Sequence, residues 1–234
     1  MPFRKDLERY IEDLSAAHGE NLVSVIFYGS AILKEDPKRE DIHLLIVLKQ
    51  IASKDLSGGA VGMKTWMKGG YPAPVYFSES ELSRGADVFP IEFNHMRQAH
   101  EVVHGKSVLV GIEISNSNIR HQVEFELRSK LLRLRRAVIE TSPKPKDLIN
   151  LMANSLPSFI ATMRAAVLLK SGVSHVDRAK VLNEASVAFG LDADVFNKIS
   201  EIRTHGGSYN GDAGSLFDSY LAQIEKVIKT VDSL

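Results

Sequence analysis

Apolar positions recur in two different rhythms along this chain of 234 residues. Near the start, Phe3, Leu7, Tyr10, Ile11 and Leu14 fall at helical spacing, which predicts a helix from Phe3 to about His18 with Gly19 as its stop. Two apolar runs follow within Val23–Leu48. Each is unbroken and rich in β-branched residues, the pattern of strands buried on both faces. Between them, Ala31–Glu35 reads as a helical turn and residues 36–40 as a solvated loop. A Gly-interrupted segment from Ser53 leads into a helix over Val61–Lys68. Pro72–Phe77 then reads as a short strand and Glu79–Arg84 as a helical turn. Asp87–His95 reads as a further strand, with Pro90 marking an edge or an end. Alternation along it puts Ile91, Phe93 and His95 on one face and Pro90, Glu92 and Asn94 on the other.

Beyond about Ser115 only the helical rhythm remains. Ile119, Val123, Leu127, Leu131, Leu134 and Val138 stripe one long helix, capped near Asn118 and ended by Pro143-Lys144-Pro145. A second, roughly Lys146–Lys170, is apolar on most faces and so central, with Pro157 expected to kink it. A third starts at Ser174 and stops at Gly190, a fourth runs from Asp192 to near His205, and Leu216–Val231 is the last. The prediction is an α+β chain: a mixed sheet with flanking helices over residues 1–112, then an all-α bundle over 113–234.

Composition narrows the setting. The 44% hydrophobic and 25% charged content is ordinary for a globular chain, and 29 basic residues balance 29 acidic ones. No overall charge draws the chain to nucleic acid, which weighs against a polynucleotide partner. With no cysteine, disulfides and thiolate metal sites are excluded. No apolar run approaches the roughly 18 residues of a membrane span, and the charged N-terminus lacks a signal-peptide core, so a cytoplasmic location without membrane contact is expected.

The chemistry gathers where the two apolar runs meet polar residues. The first run ends in Gly29-Ser30 and the second opens with Asp41-Ile42-His43. A strand, Gly-Ser, a short connection and a strand opening on an acid resemble the nucleotidyltransferase superfamily, the fold of DNA polymerase beta and the kanamycin-type enzymes. A bundle behind such a head is similar to the layout of the bacterial members. The resemblance implies that Gly29 and Ser30 hold the phosphates of a nucleoside triphosphate and that Asp41 binds Mg2+ or Mn2+. It also implies a third acid on a strand beside these two. Glu92 is the first candidate, as metal ligand and base, and Asp87 the second. The second acid of the family's Asp-x-Asp is replaced here by His43. Imidazole is a poor Mg2+ ligand and a better one for Mn2+, Zn2+ or Fe2+. As a metal residue His43 would complete the set Asp41, His43, Glu92; its plainer role is that of an inert polar strand residue.

Two functions follow from that resemblance. One is transfer of a nucleoside monophosphate from a nucleoside triphosphate to a small-molecule or protein acceptor. The other is a catalytically degenerate relative serving as a nucleotide-binding, regulatory or interaction protein. Elsewhere the signals are weaker. Arg128, Lys130, Arg133, Arg135 and Arg136 form a basic run best read as a solvated helix face paired with Glu124 and Glu126. His95, His100 and His104 lack an acid at metal-site spacing. The Gly206–Gly211 stretch reads as a connecting loop. The helical half has no Arg-x4–6-His ribonuclease motif, because Arg203 and His205 are too close together. Apolar positions left on the bundle helices are consistent with a homodimer.

Overall fold

A computed structural model describes the chain except for residues 1, 36, 142, 143, 174, 176, 207 and 208 and the side chains of residues 2, 30 and 141. The Ser174 helix start therefore lies outside the described residues, as does Pro143. The chain divides into two compact units, Met1–Ile114 and Ser115–Leu234.

The first unit is built on β1 (Leu22–Tyr28), β2 (His43–Leu48), β3 (Val75–Ser78) and β4 (His100–Gly105), in the order β3-β2-β1-β4. β1 pairs antiparallel with β2 and β4, while β2 and β3 are parallel, so the sheet is mixed. Both faces are covered, which is why the two central strands read as unbroken apolar runs. On one side, Val25, Phe27, Leu44, Ile46 and Leu48 pack with Leu7, Tyr10 and Leu14 of α1 (Pro2–His18) and Trp66 of α2 (Ser53–Lys68). On the other, Val23, Ile26, Tyr28, Leu45 and Val47 pack with Leu82 of α3 (Glu79–Arg84) and with Phe93 and Met96 of α4 (Pro90–Gln98).

α4 overturns the strand expected over Asp87–His95. Pro90 opens the helix, where a missing N–H costs nothing and a fixed φ is already helical. Its buried positions, Pro90, Phe93 and Met96, are three apart rather than two. The strand beside β1 is β4 instead, a short edge strand with a histidine at its start, His100, and another near its end, His104. Asp41 does not open β2. It ends a 3-10 turn, Arg39–Asp41, and the strand starts at His43.

The described residues of the second unit form five helices: α5 (Asn116–Thr141), α6 (Pro145–Ser171), α7 (Arg178–Phe189), α8 (Ala193–Thr204) and α9 (Ala213–Asp232). α6 is the axis and packs against all four others. It is long and apolar enough to cross a membrane by length and composition, and here those apolar residues, among them Leu156, Phe159 and Met163, are the core of the unit. It runs as one helix through Pro157.

Candidate functional site

At the end of β1 the backbone turns through Gly29 at φ +97°, ψ −171°, a conformation that an L side chain rarely adopts. A 3-10 turn, Ser30–Leu33, follows directly. A Cβ on Gly29 would stand 3.8 Å from His95 Cε1 and 3.9 Å from His43 Cδ2. Glycine is thus required by the backbone angle, since the room for a methyl exists. The Gly29 N–H donates to the Ala99 carbonyl at 2.9 Å and is spent on the sheet edge. The side chain of Ser30 lies outside the described residues.

Tyr28 and His43 are register partners on β1 and β2, with ring centroids 5.8 Å apart. His95 comes across from α4 and meets the Tyr28 ring edge-on at 6.3 Å. Two imidazoles and a phenol therefore surround Gly29 on the α4 side of the sheet. The sequence offers His95 only as one of three histidines without an acid at metal-site spacing; its helical position is what brings it here. Partial desolvation pushes the His43 pKa down, against an upward pull from the Asp41 carboxylate. The ring is thus neutral at pH 7. Burial holds the Tyr28 hydroxyl pKa up, and the Glu92 charge adds to this.

Asp41 stands beside this group, held by its neighbour Ile42, which is fully buried. Its Oδ2 accepts from Lys34 Nζ at 2.8 Å. Glu92 is in the first turn of α4 rather than on a strand. The acid that does lie on the strand beside β1 is Glu101 of β4. It faces the other side, where Arg4 of α1 grips it with two hydrogen bonds of 2.9 and 2.7 Å. Asp87 precedes α4, outside any strand.

This arrangement does not fit a divalent metal pair. Such a centre needs clustered anionic oxygens. Here one carboxylate is taken up by an ammonium and a neutral imidazole stands at the second position. Among the described residues no three His, Asp or Glu side chains are grouped to hold a metal ion. That also leaves His95, His100 and His104 without a shared site.

The basic run of α5 is mostly paired. Arg120 and Arg128 bond Glu124, Lys130 bonds Glu126, Arg136 bonds Glu140 and Arg135 reaches Glu225 of α9.

No protein-family model matches the chain, and no curated protein sequence does. Among solved structures it is similar to spectinomycin adenyltransferase AAD(9) from Enterococcus faecialis, crystallised with ATP and spectinomycin. The likeness covers 95% of this chain and 99% of that one with a TM-score of 0.61, at 10% identity. Sequence identity that low carries the architecture and leaves the chemistry to the side chains. The mixed sheet with its covering helices, followed by a helical unit, is the fold that the chain shares with that adenyltransferase.

Proposed function

We propose that this chain is a catalytically degenerate nucleotidyltransferase-fold protein that binds a nucleoside triphosphate at the Gly29–Ser30 edge and acts as a regulatory or interaction protein. One observation carries the reading: the position that should supply the second metal carboxylate holds His43, while the acid that remains, Asp41, is ion-paired with Lys34. Lys34 puts its ammonium next to the carboxylate that would otherwise attract a cation. Nucleotide binding here is then independent of divalent metal.

Thermal unfolding with ATP, GTP, CTP and UTP, each with Mg2+, with Mn2+ and with chelator, tests this. A triphosphate at a hundred times its dissociation constant adds about 2.7 kcal/mol. The expected shift appears with one triphosphate, persists in chelator and is not weakened by Asp41→Ala, which frees the Lys34 ammonium. Metal-dependent product formation abolished by Asp41→Ala would overturn the degenerate reading. Absence of any shift would remove the nucleotide.

The second reading is transfer of a nucleoside monophosphate to a small-molecule or protein acceptor. It is favoured by one finding, that the likeness to an adenyltransferase crystallised with ATP and an antibiotic runs through both units. Here the nucleotide-induced shift would need Mg2+ or Mn2+ and would vanish in Asp41→Ala.

A further inference from the structure

The connection between β1 and β2 carries Lys34 and Asp41, and Arg39 fastens it to a distant part of the same unit. Arg39 Nη1 donates to the Gly69 carbonyl at 2.7 Å. Gly69 closes α2, so that carbonyl lies at the negative end of a 16-residue helix, where a cation is favoured. The arginine stem packs on the turn that follows: a Cβ added to Gly70 would stand 3.7 Å from Arg39 Cδ. Its Cζ lies over the Tyr71 ring, 5.4 Å from the centroid. Tyr71 is itself held in place. It is buried, stacks on Trp66 at 4.0 Å, and its hydroxyl donates to Asp6 Oδ2 at 2.6 Å. Trp66 in turn stacks on Tyr10 at 5.0 Å and donates from Nε1 to the Pro72 carbonyl at 2.8 Å. Arg39 thus rests on a platform shared by α1 and α2, in the layer that holds Phe27 and Leu44. From that anchor the backbone runs into the candidate site. Arg39 opens the 3-10 turn Arg39–Asp41, in which the Asp41 amide donates to the Lys38 carbonyl at 3.0 Å and the Ile42 amide to the Arg39 carbonyl at 3.1 Å. The turn ends on Asp41, whose carboxylate accepts from Lys34.

We propose that Arg39 is a positioning residue: it holds the β1–β2 connection, with Lys34, in place at the Gly29 edge, so that a triphosphate bound there meets an ordered loop. A loop already ordered loses little freedom when a ligand binds, which favours affinity. The guanidinium faces α2, on the opposite side of the sheet from the Tyr28, His43 and His95 rings, so it acts on the edge through the backbone. That Arg39 fixes the connection follows from the contacts alone; that this serves a triphosphate rests on the nucleotide reading above.

Amide hydrogen exchange and titration with ATP, GTP, CTP and UTP, on the full chain and on Arg39→Gln and Arg39→Lys, test this. Arg39 is exposed, so neither variant should move the unfolding midpoint far. In Arg39→Gln the Asp41 and Ile42 amides should exchange at least about tenfold faster, the loss of one charge-assisted contact. Amides within the β1–β2 ladder should keep their rates. The triphosphate that stabilises the unsubstituted protein should bind about tenfold more weakly, because ordering the loop now falls on the binding step. Asp41→Ala leaves the Arg39 contacts intact and should not reproduce that loss. Arg39→Lys should recover part of both effects, since an ammonium can cap the Gly69 carbonyl but offers no plane to Tyr71. Unchanged exchange at Asp41 and Ile42 overturns the proposal, and weaker binding with unchanged exchange makes Arg39 a direct phosphate contact instead. Faster exchange with unchanged affinity overturns it as well, leaving Arg39 a structural clamp. If the unsubstituted protein binds no triphosphate, the nucleotide reading falls by itself, and exchange alone decides whether Arg39 holds the connection.

Discussion

On the proposed function, a single position, 43, decides what the Gly29 edge can do. His43 is neutral at pH 7 and presents a nitrogen where metal chemistry needs an anionic oxygen. Replacing it by aspartate places two carboxylates beside each other, and metal should become the cheapest way to relieve their repulsion. His43→Asp is therefore expected to acquire a Mn2+- or Mg2+-dependent rise in unfolding midpoint that the unsubstituted protein lacks. An unchanged midpoint with either metal in a folded variant would show that position 43 does not face Asp41. A second histidine sets the behaviour in acid. His18, at the end of α1, is 7% exposed, and both its ring nitrogens lack hydrogen-bond partners among the described residues. Burial lowers its pKa, against a smaller upward pull from Asp55. The unfolded chain then takes up the proton first, so the contribution is present above the ordinary imidazole pKa of about 6.5 and is lost as pH falls from there toward the folded value. Stability measured by denaturant should fall over that window, and His18→Leu should flatten the fall. That Gly29, Asp41 and His43 lie at one end of the β1–β2 pair was legible because a buried strand pair fixes where its ends meet. His95 was not, since its place beside Gly29 depends on the helix that carries it.

At the scale of elements, α2 holds two adjacent glycines with opposite prospects. Gly58 faces only Ala17, whose atoms would be 3.7 and 3.9 Å from an added Cβ, an ordinary contact. Gly58→Ala should stabilise the protein by about 0.5–1 kcal/mol through the lower entropy of the unfolded chain and better helix propensity. Gly59 faces Tyr76 Oη at 2.9 Å and His18 Nε2 at 3.1 Å, neither of which can swing away from the buried layer between α1, α2 and β3. Gly59→Ala should destabilise by about 1–3 kcal/mol, the cost of overpacking. Urea midpoints of the two variants moving in the same direction would contradict this. The same helix shows why elements differ in legibility. α2 was visible as a helix only from Val61, because glycine and serine in its first half hide the period, although the Asp55 carboxylate accepts from the Ala52 amide at 2.8 Å and fixes its start. Residues 87–95 misled in the reverse sense. Apolar and polar residues alternate there, yet proline at the first helical position and burial of Phe93 and Met96 three apart decide for α4. β4, with half-buried polar residues and no apolar run, left no period to find.

For the whole molecule, each unit closes its own apolar core. In residues 115–234, α6 is surrounded by α5, α7, α8 and α9, and Leu156, Phe159, Ile199, Tyr220 and Ile224 are at most 1% exposed. About 120 residues can bury roughly two-thirds of their surface, enough for a stable domain. The change from mixed to purely helical rhythm near Ser115 was plain in the sequence because it reflects this closure: among the described residues every element beyond β4 is a helix with its apolar face turned to α6 or its neighbours. Residues 115–234 produced alone should thus be folded, with helical circular dichroism and one cooperative thermal transition. Within that fragment Tyr220→Phe should cost about 1 kcal/mol, because it removes the hydroxyl that meets Ser155 Oγ and leaves that half-buried group to the Met152 carbonyl of α6. Ser155→Ala should cost a similar amount, and the double variant little more than either, since the two changes delete one interaction. A fragment that melts without a transition would show that the helical unit depends on residues 1–114 for its fold.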